Sequence, residues 1–215
     1  MKGKDKYFEK REETLRRKGF YFICGADEVG RGSWAGPIVA TAMINKKSKI
    51  KYKKLQIRDS KKLTERKREE IFNCLIDDSD IIYNVAWVSS KQIDKIGLGK
   101  ANQLVLKKAV EGLKTKPDYI LVDGFMIKDL KISQERIVKG DEKILSIAVA
   151  SIIAKVSRDR YMRKLAKKYP QYEFDKNKGY GTKKHLEMIK NFGLCPEHRR
   201  SFKPIGKILK MKNKI

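Results

Sequence analysis

Long apolar runs are missing from this chain. None approaches the roughly 18 residues that a membrane span needs. Residues 1–18 are charged and lack the apolar stretch of a secretory signal. Cysteine is scarce: Cys24, Cys74 and Cys195 are odd in number, widely spaced and without a CxxC pair. That excludes a disulfide framework and a Cys-type zinc site. Two histidines, His185 and His198, leave little material for a His-based centre. The deficit of acidic charge is the largest. Against 52 Lys and Arg stand 26 Asp and Glu, a net charge of +26 over 215 residues. Such an excess asks for a polyanionic partner, either nucleic acid or an anionic membrane surface. The basic segments form no clear amphipathic anchor, so no membrane partner is expected. A lysine excess can also reflect genomic composition or adaptation to heat. The class implied is a soluble protein of a reducing compartment, the cytoplasm.

Chain length suits one domain with a small appendage. Residues 1–19 read as a charged surface helix stopped by Gly19, residues 20–170 as the core, and residues 171–215 as a helical C-terminal region with a basic tail. Within the core, Phe20–Cys24 and Ile38–Ile44 read as an antiparallel strand pair joined by a glycine-rich connection. Ile81–Val88 reads as a third strand. Tyr119–Val122 and Glu135–Val138 are two more. Helices are expected over Leu63–Ile76, with Thr64 as cap, from Ser89 or Ser90 to Ile96, and over Lys100–Leu113. Ile144–Tyr169 is a long helix stopped by Pro170, and Thr182 opens another that runs to about Phe192. The fold class is α/β, a mixed sheet of about five strands flanked by helices.

Chemistry concentrates in carboxylates at strand ends. Asp27 and Glu28 are expected after the first strand, Asp123 after the fourth and Asp141 after the fifth. Side-by-side strands would gather all four at one sheet edge, where open α/β sheets place their sites. Packed carboxylates repel, and a hard divalent cation, Mg²⁺ or Mn²⁺, relieves the repulsion. Two such ions about 3.5–4 Å apart can activate a water and stabilise a leaving oxygen in phosphodiester hydrolysis. Each acid also has a plain alternative. Asp123-Gly124 is an ordinary turn pair, and Asp141 can cap the long helix. Their joint occurrence favours the site.

Gly30-Arg31-Gly32-Ser33-Trp34-Ala35 fits the dinucleotide pattern GxGxxG/A. That pattern needs a helix to open after the glycines. Pro37 and the β-rich run Ile38–Met43 follow instead, and no GxxxxGK[ST] occurs elsewhere. The glycines are better read as a place where backbone amides approach a phosphate or sugar.

Asp27-Glu28-Val29-Gly30-Arg31-Gly32 resembles a motif of ribonuclease HII, the type 2 ribonuclease H family. Asp59-Ser60-Lys61-Lys62-Leu63, Leu121-Val122-Asp123-Gly124, Lys139-Gly140-Asp141 and Ala150–Asp159 are similar to further family segments. So are Lys178–Thr182 and His198–Phe202, and all run in family order over about residues 20–203. Arg31 between the glycines favours type HII over type HIII. The resemblance implies a ribonuclease H-like fold. It implies an endonuclease that cuts the RNA strand of RNA–DNA hybrids and incises 5′ to single ribonucleotides in duplex DNA, leaving 3′-hydroxyl and 5′-phosphate ends.

By the same resemblance Asp27, Glu28, Asp123 and Asp141 hold two divalent ions, Mg²⁺ or Mn²⁺. Gly30, Arg31 and Gly32 sense the ribose 2′-hydroxyl, and Tyr180 stacks on the neighbouring deoxyribose. The 2′-hydroxyl is the group that separates RNA from DNA at a site. Lys61, Ser151, Lys155 and Arg158 are the implied phosphate contacts. Ser151 and Lys155, four apart, share one helix face. Capping or a structural ion pair with Asp159 is the alternative for the helical residues. His198 and Arg199 either support the site or hold down the tail. The tail after Phe202 shows no paired-aromatic clamp-binding motif. No sliding-clamp partner is therefore expected, and the chain is expected to be a monomer. A nucleic-acid-binding protein that keeps the fold without catalysis is the main rival. Ribonucleotide excision and removal of RNA primers in replication both remain open as physiological tasks.

Overall fold

The structure, a computed structural model, describes residues 5–46, 57 and 63–206. Five strands form one mixed sheet: β1 (Ile23–Val29), β2 (Ile38–Asn45), β3 (Ile81–Val88), β4 (Tyr119–Asp123) and β5 (Ser133–Ile137), in the spatial order β3-β2-β1-β4-β5. The β1–β2 and β2–β3 pairs are antiparallel, and β1–β4 and β4–β5 are parallel. Helices are α1 (Asp5–Arg17), α2 (Glu65–Ile76), α3 (Ser90–Ile96), α4 (Leu98–Glu111), α5 (Gly140–Lys143), α6 (Leu145–Lys168), α7 (Phe174–Asn177) and α8 (Lys183–Phe192).

The sheet is covered on both faces, and so β2 reads as one apolar run with all eight residues buried. Cys24, Ala26, Ala40 and Ala42 pack with Val105, Leu106 and Ala109 of α4. Met43 packs on the opposite face with Ile71 and Leu75 of α2 and with Ala148, Val149 and Ile152 of α6. Thr64 and Ser89 cap α2 and α3, the latter through a reciprocal capping box with Gln92. The long helix is as expected within a residue at each end.

Three local expectations change. Asp27 and Glu28 do not follow the first strand but lie inside it, opposite Thr41 and Ala40 of β2. Pairing with β2 as far as Val29 extends the strand beyond what its two acids would support alone, past Ala26, where the β4 ladder stops. Asp141 does not cap α6. It sits in the single turn α5, and the backbone N–H of Ser146 donates instead to Glu12 Oε1 at 3.0 Å. The N-terminal helix is thus more than a surface element. Its Glu12 and Leu15 are buried, and Leu15 packs with Ile23, Leu121, Ile144 and Ile147.

Position of α6 follows from one residue of β1. A Cβ on Gly25 would lie 2.2 Å from the carbonyl carbon of Ser146, so the helix rests directly on the strand backbone. Alternation along β1 then points Asp27 toward α6 and Glu28 toward α4. Replacing Glu12 with Ala strips the α6 start of its acceptor, a loss of about 1–2 kcal/mol. Thermal unfolding of Glu12→Ala should come several degrees lower, while Glu13→Ala, on the exposed face, should melt like the parent.

Candidate active site

At the C-terminal ends of β1 and β4 a cavity of about 320 Å³ is lined by Asp27, Glu28, Val29, Arg68, Asp123, Ser151, Lys155 and Tyr180. Parallel pairing of β1 with β4 is what brings Asp123 beside the two acids of β1. Asp27 is buried, accepts from its neighbour's N–H at 2.7 Å and takes a hydrogen bond from the Ser151 hydroxyl. Its carboxyl is pushed well above the usual range, first by burial, then by the charges of Glu28 and Asp123. Burial raises Glu28 to about 7 despite Arg31, whose guanidinium stands 3.5 Å away, and despite a hydrogen bond from Asn102. Its Oε2 is buried with no hydrogen-bond partner. Asp123 Oδ1 accepts from the Gly140 N–H at 2.7 Å, which ties the acid of β4 to the turn that carries Asp141. Asp141 is buried one residue further on and does not line the cavity.

Three of the four expected acids therefore share one cavity, and the fourth, Asp141, is buried outside its lining. Among the described residues no three acids, histidines or thiols already stand at metal-binding spacing. The donor set still suits a hard cation: it is all oxygen, buried, mutually repelling, and one oxygen lacks a partner. Asp27, Glu28, Asp123 and Asp141 are the residues that could hold it.

Of the other expected residues, Ser151 and Lys155 line the cavity. Lys155 also bridges Asp159 at 2.8 Å. Gly30 takes a φ of +92°, and a Cβ there would meet Arg158 Nε at 2.3 Å. Arg31 is exposed and lies over the Phe125 ring at 4.7 Å. Tyr180 lines the cavity from the C-terminal side. Lys61 lies outside the described residues. Arg158 departs from expectation. It is wholly buried, and its guanidinium donates to the carbonyls of Pro37, Lys178 and Ala35 at 3.0, 2.9 and 3.2 Å. A guanidinium turned inward to carbonyls is a clamp between loops and presents no surface to a phosphate.

Sequence reading passed over Arg68 and Asn102. Asn102 had a signal, being a polar residue on the buried face of α4 between Ala101 and Val105. Arg68 had none, since it stands in a run of charged residues on α2.

A β3-β2-β1-β4-β5 mixed sheet with acids at the ends of its two central parallel strands defines a ribonuclease H-like α/β enzyme. The chain belongs to the ribonuclease HII family, whose model matches residues 24–205. These are endoribonucleases that degrade the RNA of RNA–DNA hybrids and require a divalent metal. The chain is 50% identical over 198 residues to ribonuclease HII of Caldicellulosiruptor bescii, covering 92% of this chain and 94% of that protein. The crystal structure of ribonuclease H2 from Pyrococcus horikoshii OT3 superposes with a TM-score of 0.78 at 31% identity, over 90% of this chain and 99% of that one. Bst-RNase HIII, solved in complex with Mn²⁺, shares the fold at a TM-score of 0.66 and 20% identity, over 90% of this chain and 71% of that one. No helix among the described residues is long and apolar enough to cross a membrane.

Crowded acids make the metal-free protein less stable as pH rises. The folded state holds a proton on Glu28 up to about 7 that the unfolded chain releases near its ordinary 4.5, so stability is lost across that window. Asp123→Asn keeps an oxygen for the Gly140 N–H and removes one charge. In EDTA at pH 8 its melting temperature should exceed the parent's by about 2–4 °C. Mg²⁺ should raise the parent's melting temperature and raise the variant's far less.

Proposed function

We propose that this ribonuclease incises 5′ to a ribonucleotide, in hybrids and at single ribonucleotides embedded in duplex DNA, and leaves 3′-hydroxyl and 5′-phosphate ends. The observation that carries the reading is adjacency. Asp27 and Glu28 lie near the C-terminal end of β1, which closes at Val29 and leads into Gly30-Arg31-Gly32, so the acids and the backbone able to approach a ribose are two to three residues apart. Asp27, Glu28, Asp123 and Asp141 would hold divalent ions, which would supply an activated water and charge stabilisation at the leaving oxygen.

The chain's own groups do the rest. Ser151 fixes the orientation of Asp27 and Asn102 that of Glu28. Lys155 and Arg68 present cations to the scissile phosphate. Gly30 and Gly32 let backbone approach the 2′-hydroxyl, and Tyr180 closes the opposite wall and stacks on the next sugar. Mapping of cut ends on a duplex with one ribonucleotide tests this. The parent should nick 5′ to the ribose with Mg²⁺ or Mn²⁺ and not in EDTA, and Asp123→Asn should lose at least a hundredfold in rate, on the order of an electrostatic catalytic group. Binding without nicking under every metal condition would leave the non-catalytic binding module as the reading.

Beside the cavity runs a second, larger groove of about 770 Å³, lined by Arg31, Lys100, Gln103, Lys107, Phe125 and Lys128 among others. Gln103 bonds Met126 O at 3.1 Å and the Lys128 N–H at 2.8 Å, which fixes one wall to α4. Arg31 belongs to both the turn and the groove, so we read the groove as the track of the flanking duplex. Replacing Lys100, Lys107 and Lys128 together with Ala should lower the slope of log K against log salt by about 2–3, near one per phosphate contact.

A further inference from the structure

His185 and His198 are buried in an aromatic box and take no part in the site as described so far. Tyr172 stands edge-on to His198 at 4.9 Å, Phe174 edge-on to His185 at 5.6 Å, and Trp34 lies 5.8 Å from His185. Their hydrogen bonds leave one arrangement of protons. The Tyr180 carbonyl can only accept, so the His185 Nδ1 at 2.9 Å from it carries hydrogen. In a neutral ring His185 Nε2 is then an acceptor, and His198 Nε2, 3.1 Å away, must donate to it. His198 Nδ1 is left as an acceptor. It faces the Cys195 N–H at 3.0 Å, a group that can only donate. The thiol of Cys195 at 3.2 Å can donate to the same nitrogen, and the Cys195 carbonyl at 3.4 Å is the poorer contact. Assignments made from the two ends agree. Burial holds both rings neutral, drawing His185 below its ordinary value and His198 down to about 4.

The result is a directed chain, Cys195 N–H to His198 to His185 to the carbonyl of Tyr180. That carbonyl also accepts from the Thr182 N–H at 2.9 Å. The residues around it are locked to the same partners. Trp34 and Ala35 donate backbone N–H groups to the Gly179 carbonyl at 2.7 and 3.2 Å. A Cβ on Gly181 would lie 2.1 Å from the Trp34 ring. His198 itself bridges to Ala35 in an isolated β-pair, and the Arg199 N–H bonds the Trp34 carbonyl at 2.7 Å. The histidine pair thus sits where the turn after β1, the Tyr180 loop and the C-terminal segment meet.

We infer that His185 and His198 are positioning residues, which act through the Tyr180 carbonyl to set where the Tyr180 ring stands over the carboxylate cavity and so set preference for a single ribonucleotide in DNA over a continuous hybrid. The inference rests on the reading of Tyr180 as a substrate-facing residue.

Two isosteric replacements isolate the hydrogen bond. In His185→Asn the side-chain amide nitrogen replaces Nδ1 and keeps the bond to Tyr180, whereas His185→Leu has similar volume and no donor. For His185→Leu, kcat/KM on a single-ribonucleotide duplex should fall about tenfold relative to a uniform hybrid, the worth of one buried hydrogen bond. His185→Asn should restore the ratio to within about threefold of the parent. Equal ratios in the two variants, or an unchanged ratio in Leu, would overturn the inference, because packing alone treats them alike. A parent that cuts neither substrate would instead overturn the proposed function. Folding of the variants is avoided by long-range ¹H–¹⁵N NMR of the parent at pH 7. His185 should show the Nδ1–H tautomer and His198 the Nε2–H tautomer. The opposite tautomers, or a protonated ring, would refute the chain.

Discussion

Two buried guanidiniums hold the working parts of this protein in register. Arg158 reaches from α6 to the carbonyls of Ala35, Pro37 and Lys178. Arg199 reaches from the C-terminal segment to the carbonyls of Gly36 and Arg31 at 2.9 and 3.0 Å. Between them they join the turn that follows Asp27 and Glu28 to the loop that carries Tyr180. Burying a charge without a counter-charge is costly, and here backbone carbonyls supply the compensation. Burial, with the nearby charge of Arg158, pulls Arg199 down to about 9. Gly30 can exist only as glycine beside it, since any Cβ would strike Arg158 Nε.

Both signs of charge meet at the cavity, where Arg68 and Lys155 share its lining with the acids and Arg31 stands 3.5 Å from Glu28. Carboxylates crowd the ends of β1 and β4, where a cation is needed. Two guanidiniums lie beneath the loops, and lysines line the outer groove. A chain with net charge +26 attracts polyanions as a whole, while Asp27, Glu28 and Asp123 concentrate negative charge at one cavity. The α1 helix contributes from a distance. Through Glu12 it holds the start of α6, and α6 in turn delivers Ser151, Lys155 and Arg158 to one end of the sheet.

Much of this was legible in the amino-acid sequence, and the exceptions have physical reasons. Alternation and apolar runs placed β2, β3 and β4, and capping residues placed α2 and α3, because these signals are local. Asp27 and Glu28 were expected after the strand because strand propensity ignores ladder partners, and β2 pairs with β1 through both of them. The alternative of Asp141 as a cap for α6 stayed open in sequence, because the acceptor of the Ser146 N–H, Glu12, lies 134 residues from it. Arg158 looked like a phosphate contact because an arginine near catalytic acids gives no sign in sequence of facing inward. His198 and Arg199 were read as either supporting the site or anchoring the tail. Both bind the turn after β1, through the Ala35–His198 bridge and the Arg199 N–H to the Trp34 carbonyl. Asn102 left a trace as a polar residue in an apolar stripe, and Arg68 left none.

Reading of a ribose by the turn beside the acids is the central claim, and the 2′-position tests it most directly. Incision rate and binding should be compared on three duplexes that differ at one sugar: ribose, deoxyribose and 2′-O-methyl ribose. Incision should occur only with the free 2′-hydroxyl, while the salt-dependent binding of the flanking duplex stays nearly equal across all three. Incision at the methylated or deoxy sugar at a rate near that of ribose would contradict the account.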